Sequence, residues 1–430
     1  MTALSITTTS PTDWTYVSEG GANIVLAYKG ASDDNFSGSV LRLRAMHIDA
    51  DSSTKSNEPE QQADDPSIAF QKHIISKLIS PAFLPRLEAV DLDEPWLREL
   101  AIKTEPSRPL SRRTVQIIDA KQARGVLASD LIGSTGWAVE IKPKWGFLPR
   151  LYHLLNETRL AKSSNCRFCM HTYHRSMTSN TTLSTHYCPL DLYSGEESRV
   201  RKALQALCDA WVESDGSLNN LKIFAAGKRV SPSNASSVLA LSQEINPSGD
   251  EPPSPPILPN LLSALTDQLL PFLINTQVLH TLSKLQRTLD PLDIDGLVQL
   301  WNSSPGTAGS TFGTGLSDVK MEEWVSFLQE YASRMKKTPQ EIEADWTHPD
   351  PTSSNLRYYL VAYLLSATFK DCSVIIQFQA GKAPSAAVID LDPKQISRLS
   401  KWQKQDADIV RTFVEAGETS KPPCIDEIQP

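Results

Sequence analysis

The chain has 430 residues, 40% of them hydrophobic, and a formal charge of −8 at pH 7. That length supports one large core or two lobes, and the acidic balance excludes a general binder of nucleic acid or of an anionic membrane surface, which attracts its polyanion with the whole field. Six cysteines are too few for a disulfide framework, and Met1–Trp14 is polar without an apolar h-region, so the expected setting is intracellular and reducing, nucleus and/or cytoplasm, for a monomeric chain.

The first pattern is a glycine turn at residues 20–21, a strand over Asn23–Tyr28, a polar loop and a second strand over Ser39–Arg44, which together predict a β-hairpin. Asp49–Asp65 is acidic and rich in Ser and Gln, a loop or disordered insertion. Helical spacing appears at 67–79 and 94–103, Trp137–Ile141 alternates as a strand that stops at Pro143, and Leu148–Leu160 and Glu196–Val212 carry apolar residues at three- and four-residue intervals. Six prolines between Asn246 and Pro259 predict a surface loop. Helices follow at 260–288, 293–302, 318–336 and 354–368; the apolar pattern at 257–284 holds Asp267, Gln268, Asn275 and a proline, so it reads as buried helix and not as a membrane span. Strands at Ser373–Phe378 and Ala386–Leu391 and a helix from Pro393 to about Glu415 close the ordered part, with a frayed tail after Gly417. A strand-rich first third before a helix-rich remainder predicts an α+β protein of two lobes, 1–145 and 146–430.

Five groups of residues carry chemistry. Gly20 and Gly21 let a backbone approach a phosphate closely, though a paired glycine before a strand is more often an ordinary turn. Between 140 and 175 there are seven basic residues (Lys142, Lys144, Arg150, Arg159, Lys162, Arg167, Arg175) against two acids, and Lys142 and Lys144, two apart in a segment read as extended, are expected to leave one face and grip one anion. Lys394, Arg398 and Trp402 fall at i, i+4 and i+8 of the last helix and form a second basic stripe. Asp371 and Asp390 each touch a strand end, the arrangement in which one carboxylate deprotonates an attacking hydroxyl and another holds Mg²⁺ on nucleotide phosphates. A fifth cluster, Cys166-x2-Cys169 with His186 and Cys188, has the donor types for a structural zinc, with buried free cysteines as the alternative.

Taken in order, several segments carry a resemblance: Gly20-Gly21-Ala22-Asn23-Ile24-Val25, Val40-Leu41-Arg42, Glu140-Ile141-Lys142-Pro143-Lys144-Trp145-Gly146-Phe147-Leu148-Pro149, Arg167-Phe168-Cys169-Met170-His171, Pro189-Leu190-Asp191-Leu192-Tyr193-Ser194-Gly195, Asn219-Asn220-Leu221-Lys222, Lys370-Asp371-Cys372-Ser373 and Ile389-Asp390-Leu391. Together they resemble the inositol pentakisphosphate 2-kinases, the fungal branch most. The resemblance implies a two-lobed kinase-like fold, a strand-rich N-lobe and a larger helical C-lobe with a small sheet, using ATP and Mg²⁺ to phosphorylate the 2-hydroxyl of inositol 1,3,4,5,6-pentakisphosphate. It places Gly20, Gly21, Ala22, Asn23, Val25, Arg42, Asp130, Glu140 and Lys222 at the nucleotide. Arg112, Lys142, Lys144, Arg175, Asn219, Lys394, Arg398 and Trp402 would hold the inositol phosphate. Asp371 would be the base, and also a Mg²⁺ ligand beside Asp390. Plant members carry a Cys/His zinc cluster in the later helical part; only Cys372 and Cys424 lie beyond Cys208 here, so a zinc is expected to use 166–188. Such a substrate carries roughly eight to ten negative charges, each phosphate bringing about −1.5 to −2, and several converging cations are needed to hold it. Two rival functions remain: an inactive inositol polyphosphate scaffold on the same cleft, and a zinc-stabilised nucleic-acid binder, which the acidic chain disfavours.

Overall fold

The structure is a computed structural model that describes residues 4–20, 23–48, 65–133, 135–178, 186–246, 258–335, 348–417 and 423–426. Most of the two expected loops, at 49–65 and 246–259, lies outside the described residues. The chain divides into two compact units, Met1–Ser76 with Leu84–Ser134, and Lys77–Phe83 with Thr135–Pro430. Helices and mixed sheets make it an α+β protein.

The first unit is built on seven strands: β1 (Leu4–Ser5), β2 (Trp14–Glu19), β3 (Asn23–Tyr28), β4 (Ser39–His47), β5 (Leu87–Asp91), β6 (Gln116–Ile118) and β7 (Arg124–Ser129). Their order is β1-β5-β7-β4-β3-β2, with β6 paired to β4. Period-two alternation sends Ile24, Leu26, Leu41 and Leu43 into a core closed by Trp14, Trp96, Leu97 and Leu100. The same alternation puts Val25 and Arg42, which are cross-strand partners, on the opposite face. The helix Glu94–Thr104 starts where Asp93 accepts from the Trp96 N–H at 3.1 Å, and it lays Trp96, Leu97 and Leu100 on the sheet. Strands β2, β5 and β7 lie in segments whose expectation stopped short of strand.

The second unit carries a five-stranded antiparallel sheet of β8 (Trp137–Ile141), β9 (Leu221–Ala225), β10 (Lys228–Arg229), β11 (Ser373–Phe378) and β12 (Ser385–Ile389), ordered β10-β9-β8-β11-β12. Because β8 pairs with β9 and β11, it belongs here, and the boundary falls near 134 and not at 145. The helix Leu356–Lys370 is buried all round, so its near-continuous apolar run marks the middle of the core and not a surface face. It delivers Asp371 as its C-terminal cap and runs directly into β11. No described helix is long and apolar enough to cross a membrane.

Three expectations are corrected. Leu148–Leu160 is not one helix: a short turn at Leu151–His153 precedes the helix Asn156–Ser164, and Leu151, Leu155 and Leu160 are exposed, so their spacing marks no core face. The last helix begins at Leu399, after a turn at Ile396–Arg398, so Lys394 is off the helix. That turn is fixed by burial of Ile396 and by its N–H, which donates to Asp318 Oδ1 at 2.8 Å. The tail returns too: residues 423–426 are anchored, with Arg287 bonded to Asp426 at 2.7 Å and the Cys424 N–H to the Ser164 carbonyl at 2.8 Å.

Candidate functional site

Within the second unit, β8 ends at Ile141 and Pro143 stops its pairing, so the chain must turn. Lys144 makes that turn at φ 67°, a region few non-glycine residues occupy. The extended reading of 142–144 therefore fails at Lys144. What holds the turn is Gln286, which is fully buried. Its Nε2 donates to the Lys144 carbonyl at 3.0 Å and to the Phe369 carbonyl at 2.9 Å, while its Oε1 accepts from the Gly146 N–H at 2.7 Å. Gly146 is required, because a Cβ there would meet the Tyr193 ring at 2.6 Å. One side chain thus ties the Lys-Pro-Lys turn to the helix end that presents Asp371. Gln286→Ala is expected to lower kcat by about 10²-fold with a smaller change in KM, since small misplacements of reacting groups have that effect; steady-state kinetics will read it.

Around this turn lies a cavity of about 320 Å³, lined by Lys144, Arg167, His171, Arg175, Lys370 and Lys394, with Asn219, Asn220, Trp402 and Asp371. Lys370 is held in place by Asp290 and by the Trp145 and Tyr363 rings, whose centroids lie 4.1 and 4.8 Å from its ammonium. Arg167 is braced by Asp406 at 2.6 Å. A second hollow, lined by Arg398, Asp318 and Trp324, shares Asp371, Lys394 and Trp402 with the first, so the two basic segments do converge. Burial pulls the Lys144 ammonium below the usual lysine range, and Lys142 adds to that while Asp371 opposes it. Burial, then Arg167 and Arg175, push His171 down to about 4. Asn220 lines the same cavity with a buried side-chain nitrogen that has no hydrogen-bond partner among the described residues. Crowded positive groups and an unsatisfied donor are the marks of a pocket made for a compact anion.

Of the two acids, Asp371 lines both hollows, while Asp390 lines neither and is tied to Lys142. The Lys394 ammonium meets Asp371 Oδ2 at 3.1 Å, and the Lys142 ammonium meets Asp390 Oδ2 at 2.9 Å. Burial works against the Lys142 charge, yet Asp390, with help from Asp371 and Glu140, outweighs it and holds the ammonium above the lysine range. Asp390 sits at φ 62°, a conformation Asp tolerates at a cost of about 1–3 kcal/mol. Ser373 Oγ bridges Asp390 Oδ2 at 3.3 Å and Glu140 Oε1 at 2.9 Å, and Lys222 meets Glu140 Oε2 at 2.8 Å. Glu140 is thus buried with both oxygens engaged, and it organises the sheet end that carries Lys142 and Asp390.

The remaining expected residues lie in the first unit. Gly20 closes the β2–β3 turn through its N–H to the Asn23 carbonyl at 2.8 Å; Gly21 and Ala22 lie outside the described residues. The turn's base is a buried ion pair, Arg108 to Glu19 at 2.8 Å, and Arg112 follows on the short helix Leu110–Arg113. Asp130 uses Oδ1 to accept from the Ile132 and Gly133 N–H groups, both at 3.0 Å.

The zinc ligand set needs a correction. The Sγ atoms of Cys166, Cys169, Cys188 and Cys424 lie within 4.8 Å of one another, whereas His186 lines a different concavity beside Arg201. Cys424 reaches the group because the tail returns, and nothing in its local sequence announces that. Lys162, counted among the cluster's cations, is buried away from the cavity among Asp293, Asp295 and Asp406. His171, Asn220, Lys370 and Gln286 were missed as site residues; the only signal for Lys370 was its place beside Asp371.

An α+β chain that gathers cations around a small cavity with the carboxylate of Asp371 in its lining, and pairs a second carboxylate, Asp390, with Lys142, has the apparatus of a phosphoryl-transfer enzyme acting on a compact polyanion. The model of the family described as "Inositol-pentakisphosphate 2-kinase" matches residues 16–408. A protein of that name from Cryptococcus neoformans is 32% identical over 95% of this chain and 94% of its own length. Its namesakes from Arabidopsis thaliana and Danio rerio are 25% identical over 93% of each chain, and 29% identical over 51% of this chain and 44% of their own. The chain belongs to the inositol-pentakisphosphate 2-kinase family.

Proposed function

We infer that this protein is an ATP-dependent kinase that transfers a phosphoryl group to the 2-hydroxyl of inositol 1,3,4,5,6-pentakisphosphate, giving inositol hexakisphosphate, and that its fold is kinase-like. The observation that carries the reading is the convergence of Lys144, Arg167, Arg175, Lys370 and Lys394 on one cavity with Asp371 in its lining. Cations fixed on separate segments neutralise the substrate and set the ring's orientation, which selects one hydroxyl among similar ones. In the step, the 2-hydroxyl oxygen bonds to the γ-phosphorus, the bond from that phosphorus to the ADP oxygen breaks, and the hydroxyl proton passes to Asp371.

The nucleotide contacts we propose are Gly20, Asn23, Val25, Arg42, Asp130, Glu140 and Lys222. Asp390, 47% exposed at its side chain, and Asp371, 62% exposed, are hard oxygen donors that fit Mg²⁺ and would hold it. The ion would neutralise charge on the nucleotide phosphates. Zinc would have no part in this chemistry, since the four thiols sit in an apolar cluster with Leu148 and Leu190.

Incubation with ATP, Mg²⁺ and each inositol phosphate, with products resolved by NMR, tests the reading. Phosphorylation of the pentakisphosphate at the 2-position is the expected result, and binding without turnover would establish the scaffold instead. Arg398→Ala is expected to lower kcat/KM by about 10- to 100-fold through both constants, because one charge-assisted contact of roughly 1.5–3 kcal/mol is lost. No change in either constant would remove Arg398 from the site.

A further inference from the structure

Arg167 is held in a way that selects which of its donors are left for a ligand. Its Nε donates to Asp406 Oδ1 at 2.6 Å, and its guanidinium carbon lies 5.8 Å from the centre of the Trp145 ring. Among the described residues, no acceptor is bonded to either Nη. An arginine beside a carboxylate frequently makes two parallel bonds to it, and here it makes one. The cause is the carboxylate's other oxygen. Asp406 Oδ2 meets the Lys162 ammonium at 2.8 Å, and Lys162 is itself fixed by Asp293 at 2.6 Å and Asp295 at 2.9 Å.

We propose that Asp406 and Lys162 are positioning residues for substrate recognition, a role that rests on the kinase reading above. Asp406 holds Arg167 by Nε, and Lys162 occupies the oxygen that would otherwise claim an Nη. The two Nη groups, a planar fork that matches phosphate oxygens, are thereby reserved for one phosphate of the inositol ring.

The fold makes the arrangement rigid. The side chains of Lys162, Asp406 and Arg167 are 2%, 7% and 14% exposed, so water competes weakly for these contacts. Lys162 comes from the helix Asn156–Ser164, Asp293 and Asp295 from the first turn of the helix Asp293–Ser303, and Asp406 from the helix Leu399–Glu415. Three helices thus converge on the carboxylate that orients Arg167. Asp406 also follows Trp402 by one helical turn, and both line the cavity, so one helix sets the arginine and the aromatic wall together. An acid in the wall of a polyanion pocket repels the ligand. Holding the fork in place is what offsets that repulsion.

Titration calorimetry of the full chain with inositol 1,3,4,5,6-pentakisphosphate, without nucleotide, tests the role. Coulomb attraction alone predicts that Asp406→Asn, which removes an acid from the cavity wall, tightens binding. Positioning predicts the opposite sign, a loss of about 10- to 100-fold, the range for losing one charge-assisted contact. In an Arg167→Ala background, Asp406→Asn should cost nothing further, since the two changes break the same contact. Because Asp406→Asn can fail to fold, Arg167→Lys is measured beside it. That variant keeps the charge and removes the fork, and a loss of about 10-fold or more is expected. Unchanged or tighter binding in Asp406→Asn, additive losses in the double variant, or wild-type affinity in Arg167→Lys would each overturn the proposal. A wild type that binds no inositol phosphate would overturn the kinase reading, and this role with it.

Discussion

Asp371→Asn is expected to abolish turnover, with kcat lowered by about 10²- to 10⁴-fold, the range supplied by a positioned general base. Inositol pentakisphosphate should still bind within a few fold of wild type. Asparagine keeps the shape of the side chain and its place at the end of the helix Leu356–Lys370, while Lys394 loses an ion partner at 3.1 Å and keeps its charge for the substrate. Lys144, Arg167, Arg175 and Lys370 are untouched by the change. Steady-state kinetics paired with titration calorimetry separates the two effects. Substantial remaining activity would take the base role from Asp371, and a large loss of affinity would mean that its carboxylate organises the pocket instead.

Lys162→Met is expected to cost about 3–5 kcal/mol of stability, because it removes the cation from a buried group and leaves its acids behind. The Lys162 side chain is 2% exposed, and those of Asp293 and Asp406 are 6% and 7% exposed. Burial pushes Asp293 up to about 6 even with the ammonium in place, whereas Lys162 and Arg167 overcome burial at Asp406 and hold it below the carboxylate range. Without Lys162, Arg167 at 2.6 Å from Asp406 is the cation that remains in the cluster among the described residues. A carboxyl whose folded-state pKa is raised favours the folded state while protonated, and that advantage is lost as pH rises through about 6. The deficit of the variant should therefore be widest near neutrality and narrow as the pH falls and the buried carboxyls take up protons. Urea melts across that range will read it, and Lys162→Met combined with Asp293→Asn should recover part of the loss. Equal stability of Lys162→Met and wild type would show that the cluster is not held by its lysine. Since Arg167 also lines the cavity, the same variant should weaken inositol phosphate binding.

Elements with a strong local pattern are legible in the sequence. Strands β3, β8 and β11 have the bounds read from their β-branched, alternating or apolar runs, and the helices near 94–104, 197–213 and 293–303 follow their apolar spacing. Where tertiary contacts outvote the pattern, the reading failed. Residues 148–160 carry helical spacing yet leave three leucines exposed, and Lys394 continues a helical stripe from which Ile396 and Asp318 remove it.

The sequence alone determined the α+β class, the family resemblance, the basic character of 140–175 and the two aspartates beside strand ends, because composition, order and strand or helix period are local properties of the chain. Tertiary structure alone decided which cations share a cavity: it took Lys162 out and brought Lys370 in. It also sent Lys142 to Asp390, set Gln286 to hold the Lys144 turn, and replaced His186 with Cys424 among the thiols. The physical reason is common to all of these. Ion pairing, buried hydrogen bonding and metal geometry act at about 3–4 Å between atoms that can be hundreds of residues apart, and no periodicity along the chain encodes that distance.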